Sequence, residues 1–136
     1  MSASRGSTLL EFALAWPVFL LAALGTVELS VWSVEVLAAR SAALAGARAA
    51  SAAGASSAVG AAIAVRSLQP FLVGTRAVAW CPGVGTQAPT VWVCAGIDRR
   101  GADVLIGGVV PALVPLVSGG GLPIRAHVTL PAERFS

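Results

Sequence analysis

The sequence predicts an α+β protein: a long N-terminal transmembrane helix continues into an alanine-rich helix and packs against a small antiparallel β-sheet domain. Three observations carry this. Apolar residues make up 57% of the chain and charged ones only 11%, an excess over soluble proteins that is concentrated at the front. Alanine then dominates from Ala38 to Gln69. Beyond Pro70, short runs of β-branched and aromatic residues alternate with proline and glycine clusters. The expected organisation is a short polar leader over 1–6, a membrane helix over 7–37, an alanine-rich extension over 38–69 and a β domain over 70–136.

The front segment reads STLLEFALAWPVFLLAALGTVELSVWSVEVLAAR from Ser7, and Phe12 to Val27 carry no charge. A helix from Leu9 to Leu37 would be about 43 Å long at roughly 1.5 Å per residue, enough to cross a bilayer with some tilt. Within it, Glu11 is an ionisable residue in an apolar helix, which marks a functional site or, alternatively, a headgroup-level acid. Pro17 removes a backbone donor and is expected to kink or loosen the helix, unless it is an ordinary tolerated membrane-helix proline. Trp16 and Trp32 lie in the same helix. Glu28 and Glu35 are seven apart and so share a face. They would pair with arginines, of adjacent subunits or Arg40, or sit in the membrane interface.

The alanine-rich stretch has the best helix former throughout, with Gly46, Gly54 and Gly60 as weak points or a break. It should end before Pro70. Its small side chains suit close helix approach, read here as a contact between subunits.

After Pro70, Arg76–Cys81 and Thr90–Cys94 are separated by Pro82, Gly83, Gly85 and Pro89. They read as the arms of a hairpin. Leu122 to Leu130 alternates as a further strand. Val104 to Ile124 is uncharged and long enough to compete as a second membrane pass. Its many glycines and prolines favour a strand, a turn-rich loop and another strand.

Cys81 and Cys94 are the only cysteines, one on each predicted arm, and outside the cytoplasm an even count favours a disulfide. His127 is the single histidine, too few partners for a metal site, and no cofactor is expected. No nucleophile elbow, phosphate loop or ligand cluster supports catalysis. Asp98 and Asp103 read as part of a solvated turn beside Arg99 and Arg100. Trp80 and Trp92 suit a small core or a subunit contact. The net charge of +3 comes from scattered arginines, without the clustered stripe of a nucleic-acid binder.

One stretch is specific. Arg5-Gly6-Ser7-Thr8-Leu9-Leu10-Glu11-Phe12-Ala13-Leu14 resembles a type IV prepilin signal. With Pro17-Val18-Phe19-Leu20-Leu21 and the alanine-arginine run from Ala38 to Ala50, it resembles TadE-like minor pilins of the tight-adherence (Flp) pilus. The resemblance implies cleavage after Gly6 by a prepilin peptidase, a new N-terminus at Ser7 and an assembly role for Glu11, Phe12 and Pro17. In that family the glutamate is thought to neutralise the amino terminus of a neighbouring subunit, and paired charges do offset each other's desolvation. It implies as partners the membrane, the peptidase, other pilins and the assembly platform, and no enzymatic activity. Ser7 stands where the family carries a large apolar residue. The tail from Ile124 to Arg134 resembles the family's only loosely.

Arg5 places the N-terminus in the cytoplasm, with Arg40 and Arg48 opposing it, and the disulfide argument sends the β domain outward. Two rivals remain. One is a secreted protein cut near residue 27, against which Val27-Glu28-Leu29 is no small-residue cleavage site. The other is a single-pass membrane adaptor that is neither processed nor polymerised.

Overall fold

A computed structural model describes residues 4–52, 55–85, 87–112 and 121–131. Met1–Ala3 of the leader, Gly54, residues 113–120 of the expected turn-rich loop and the tail pair Glu133–Arg134 lie outside them.

The first helix, α1, runs unbroken from Ser4 to Ser51. It has two halves with different surroundings. From Gly6 to Leu24 every side chain is exposed, and the apolar window of the helix buries nothing inside the protein. This is the one helix among the described residues long and apolar enough to cross a membrane. From Glu28 onward one stripe is buried, at Glu28, Glu35, Ala38, Ala39, Ala42, Ala43, Gly46, Ala47 and Ala50. That three-and-four spacing is the core-facing stripe of a helix.

The alanine-rich stretch is not one continuous rod. A second helix, α2 (Ser57–Leu68), starts at Ser56, whose hydroxyl accepts from the Val59 amide at 3.4 Å. Serine at that position satisfies one of the orphan amides of the first turn. α2 folds back along α1, so the small-residue surface is used within the chain. The contact is close enough to require glycine. A Cβ on Gly46 would come within 2.7 Å of the Gly60 carbonyl oxygen and 2.8 Å of the Ala64 methyl. The expectation that this face mates with other subunits is corrected accordingly for Gly46, Ala50, Gly60 and Ala64.

α2 ends before Pro70, as expected. A short 3-10 turn (Leu72–Arg76) leads into the four-stranded sheet of β1 (Ala77–Ala79), β2 (Val91–Ile97), β3 (Ala102–Pro111) and β4 (Gly121–Leu130), arranged in that order. β2, β3 and β4 are antiparallel neighbours, with Val93 opposite Ile106 and Ile106 opposite Ala126. The strand expected over Leu122–Leu130 is β4. The described parts of the competing membrane segment belong to β3 and the start of β4, with residues 113–120 outside the described residues.

The expected β1–β2 hairpin does not form. β1 pairs parallel to β2, with Ala77 opposite Val91 and Ala79 opposite Val93. Parallel pairing requires the chain to return the length of β1 before it enters β2, which a tight hairpin turn cannot do. The tight turn lies one connection later. Asp98 Oδ1 accepts from the Arg100 and Gly101 amides at 2.7 and 3.0 Å, an Asx-type turn. Gly101 has φ 148°, and a Cβ there would strike the Leu130 carbonyl.

One face of the sheet closes the core. Val91, Val93, Val104, Ile106, Val110, Ile124 and Ala126 are buried with Ala39, Ala42, Ala43, Ala47, Ala64 and Leu68 of the helices. Alternate residues along each strand face one side, so the other face presents Trp92, Leu105, Arg125, His127 and Thr129.

Candidate functional site

The exposed half of α1 holds the predicted processing and assembly residues. Gly6 and Ser7 lie in its first turns, within the helix. A Cβ added at Gly6 would meet nothing within 4 Å. Packing within this chain therefore does not demand glycine at this position. Glu11 is exposed on the same stretch. Phe12, Trp16 and Phe19 form an aromatic ridge, with ring centroids 5.9 and 6.1 Å apart. Pro17 lies inside α1 without ending it. Having no N–H, it cannot donate to the Ala13 carbonyl one turn below.

The packed half begins where the sheet meets α1. The Trp32 indole donates to the Pro123 carbonyl at 3.2 Å, tying β4 to the helix. Glu35 is 3% exposed, and its two carboxylate oxygens accept from the Leu72 and Val73 amides at 3.1 Å each. It caps the 3-10 turn that follows α2. A buried carboxylate is tolerated when charge-assisted hydrogen bonds replace its water. The expected partners, arginines or the membrane interface, are thus replaced for Glu35 by backbone of the same chain. Glu28 is also buried, at 6% exposure. Sequence reasoning placed the two acids on one face. The uniformly apolar helix gave no contrast to show that the face points inward.

On the far side of the sheet, Cys81 and Cys94 are bonded, with Cα atoms 4.7 Å apart. The bond ties the residue just past β1 to the middle of β2, not the two arms of a hairpin. Trp80 and Trp92 meet edge to face at 5.7 Å, and the Trp80 indole donates to the Val84 carbonyl at 2.6 Å. The Trp92 ring lies across Gly107, its partner on β3. These aromatics form a small outer cluster around the disulfide instead of joining the main core.

A polar group whose members the sequence does not bring together joins β3 and β4. Asp103 Oδ1 receives the Thr129 hydroxyl at 2.9 Å and meets His127 Nε2 at 2.5 Å. Both His127 and Asp103 are about half exposed. The threonine's short contact is to the carboxylate, so this is a wet cross-strand pairing and not a nucleophile held against a base. Among the described residues no group of three potential metal ligands occurs.

Residues 6–48 match a family model described as TadE-like protein. The match covers α1 almost to its end and leaves α2 and the sheet outside. No curated protein and no solved structure matches the chain. The family is generally structural. With a membrane-length apolar half carrying Glu11 and a packed half ending in the alanine-arginine run, residues 6–48 are the part of this chain that is similar to the TadE-like family.

Proposed function

We propose that the chain is a minor pilin or pseudopilin of a Tad (Flp) pilus: a non-enzymatic assembly subunit trimmed after Gly6 by a prepilin peptidase. Its N-terminus lies in the cytoplasm and its sheet outside. Its partners are the peptidase, other pilins of the system and the assembly platform. The observation that carries this reading is the exposed half of α1. Nineteen residues, Gly6 to Leu24, are all exposed in the chain. At about 1.5 Å per residue they match a bilayer core of ~30 Å. The same surface, once withdrawn from lipid, is available to the helices of a filament.

Gly6 supports the processing step. Glycine in a helix costs about 1 kcal/mol relative to alanine. Here no packing repays that cost, and a helix end weakened in this way opens readily into the extended form a protease needs. Glu11 supports assembly. In an apolar filament core its carboxylate requires a cation, and the amino terminus exposed at Ser7 by cleavage supplies one.

Shearing and pelleting of pili from the native host tests the role. The mature chain should appear in the pilus pellet, and Glu11→Gln should be cleaved normally yet missing from it. Wild-type chain confined to the membrane of piliated cells would favour the adaptor reading.

A further inference from the structure

We infer that the chain touches the bilayer a second time, through the end of the sheet at Gly121–Pro123, which lies at hydrocarbon depth and takes lipid acyl chains into the groove it forms with α1. The inference rests on α1 spanning the membrane.

Depth is the first argument. A hydrocarbon core of ~30 Å takes about 20 helical residues. A core starting at Ser7 reaches Thr26, and one starting after Glu11 reaches Val31. Tilt lengthens the helical path and carries the boundary further along α1. The start of β4 stands beside this stretch: Ala22, Gly25 and Leu29 of α1 face Leu122 and Pro123 across an open groove of about 550 Å³. Whatever lies beside Ala22 and Gly25 is inside or at the edge of the hydrocarbon layer.

Chemistry is the second argument. Gly121, Leu122 and Pro123 carry no charge, and Val109, paired with Pro123, is exposed. Among the described residues Glu28 is the groove's one ionisable lining residue. It is buried and lies toward the sheet-side end of the α1 stretch, nearer the headgroups. Arg125 is the first charge along β4, two residues beyond Pro123. At about 3.3 Å per residue it sits one headgroup layer further out, where a guanidinium can reach lipid phosphates.

The backbone supplies the third. β4 is an edge strand, and an open edge in lipid leaves amides and carbonyls without partners. In an antiparallel ladder a residue's N–H and C=O point to the same side. The Pro123 carbonyl points away from β3, to the Trp32 indole, so its nitrogen does too, and proline has no hydrogen there to strand. Both edge-facing groups of Pro123 itself are thereby satisfied or absent. The donor is itself a tryptophan, the residue that favours the membrane boundary.

The test is photocrosslinking of the full chain in phosphatidylcholine–phosphatidylglycerol vesicles, read as adduct mass. p-Benzoylphenylalanine is placed singly at Leu122, at Val109 as a second site of equal depth, at Phe19 in the exposed helix, and at Arg100 in the turn at the opposite end of the sheet. Lipid adducts should form at Phe19 and at Leu122 or Val109, and not at Arg100. Adducts at Phe19 alone overturn the second contact and leave the membrane span standing. Adducts at neither depth overturn both. A crosslink to a second copy at Leu122 and Val109, in place of lipid, assigns the groove to self-association and also overturns the inference.

Discussion

Gly46 and Gly60 touch reciprocally: a Cβ on Gly46 would lie 2.7 Å from the Gly60 carbonyl oxygen, and one on Gly60 would lie 2.9 Å from the Gly46 carbonyl oxygen. The α1–α2 hairpin closes backbone to backbone at this point. Replacing Gly46 with valine recovers only part of the helix-propensity cost of glycine, which is about 1 kcal/mol. Overpacking costs about 1–3 kcal/mol, and backbone cannot step aside as a side chain can. Gly46→Val should therefore destabilise by about 1–3 kcal/mol in chemical denaturation. Gly25→Ala, with open space around its Cβ, should be neutral or slightly stabilising.

Glu35 should matter more than any other acid of the packed region. Glu35→Ala strips both amides of the 3-10 turn of their acceptor in a buried place. Hydrogen bonds to a charged group contribute about 1.5–3 kcal/mol. Because the turn can partly relax toward water, a loss of about 2–4 kcal/mol is expected. Hydrogen exchange at the Leu72 and Val73 amides should accelerate selectively, and Glu35→Gln, which keeps one acceptor oxygen, should fall between.

Reduction of Cys81–Cys94 should cost about 3 kcal/mol on the loop-entropy account for a loop this short. The loss should be local first. β1 is three residues long and lies at a sheet edge, so protection of Ala77–Ala79 should collapse while β2–β3–β4 persist. Non-reducing electrophoresis and exchange on the Cys81→Ser/Cys94→Ser variant check both points.

His127→Ala and Asp103→Asn should each change stability by less than about 1 kcal/mol. The pair is half exposed, and exposed ion pairs contribute about 0–1 kcal/mol. A thermal shift as large as that of Gly46→Val would show that this short contact holds the β3–β4 ladder.

Much of this was legible in the chain. The uncharged run from Phe12 to Val27 announced the membrane half, Pro70 stopped α2, and the alternation from Leu122 to Leu130 marked β4. The hairpin over Arg76–Cys94 was misread for a physical reason. Pro82, Gly83, Gly85 and Pro89 report that the backbone turns, not which strand it turns toward. The reversal that builds the sheet is the compact Asp98–Gly101 turn, whose aspartate reads from the sequence only as part of a solvated loop. Glu35's role stayed hidden because its partners are backbone amides 37 and 38 residues away, and amides leave no trace in residue identity. The small-residue face was recognised correctly as a close-packing surface. Its partner was not, since α2 supplies from the same chain what another subunit would otherwise have supplied.

Entry of this chain into the pilin pathway turns on cleavage after Gly6. The most direct measurement is intact mass and N-terminal sequence of the chain expressed with and without its host's prepilin peptidase. The expected result is a peptidase-dependent loss of Met1–Gly6 and a new N-terminus at Ser7. A chain that stays uncut in its native host, or is cut near residue 27 or beyond, would contradict it and leave a membrane adaptor or a secreted domain in its place.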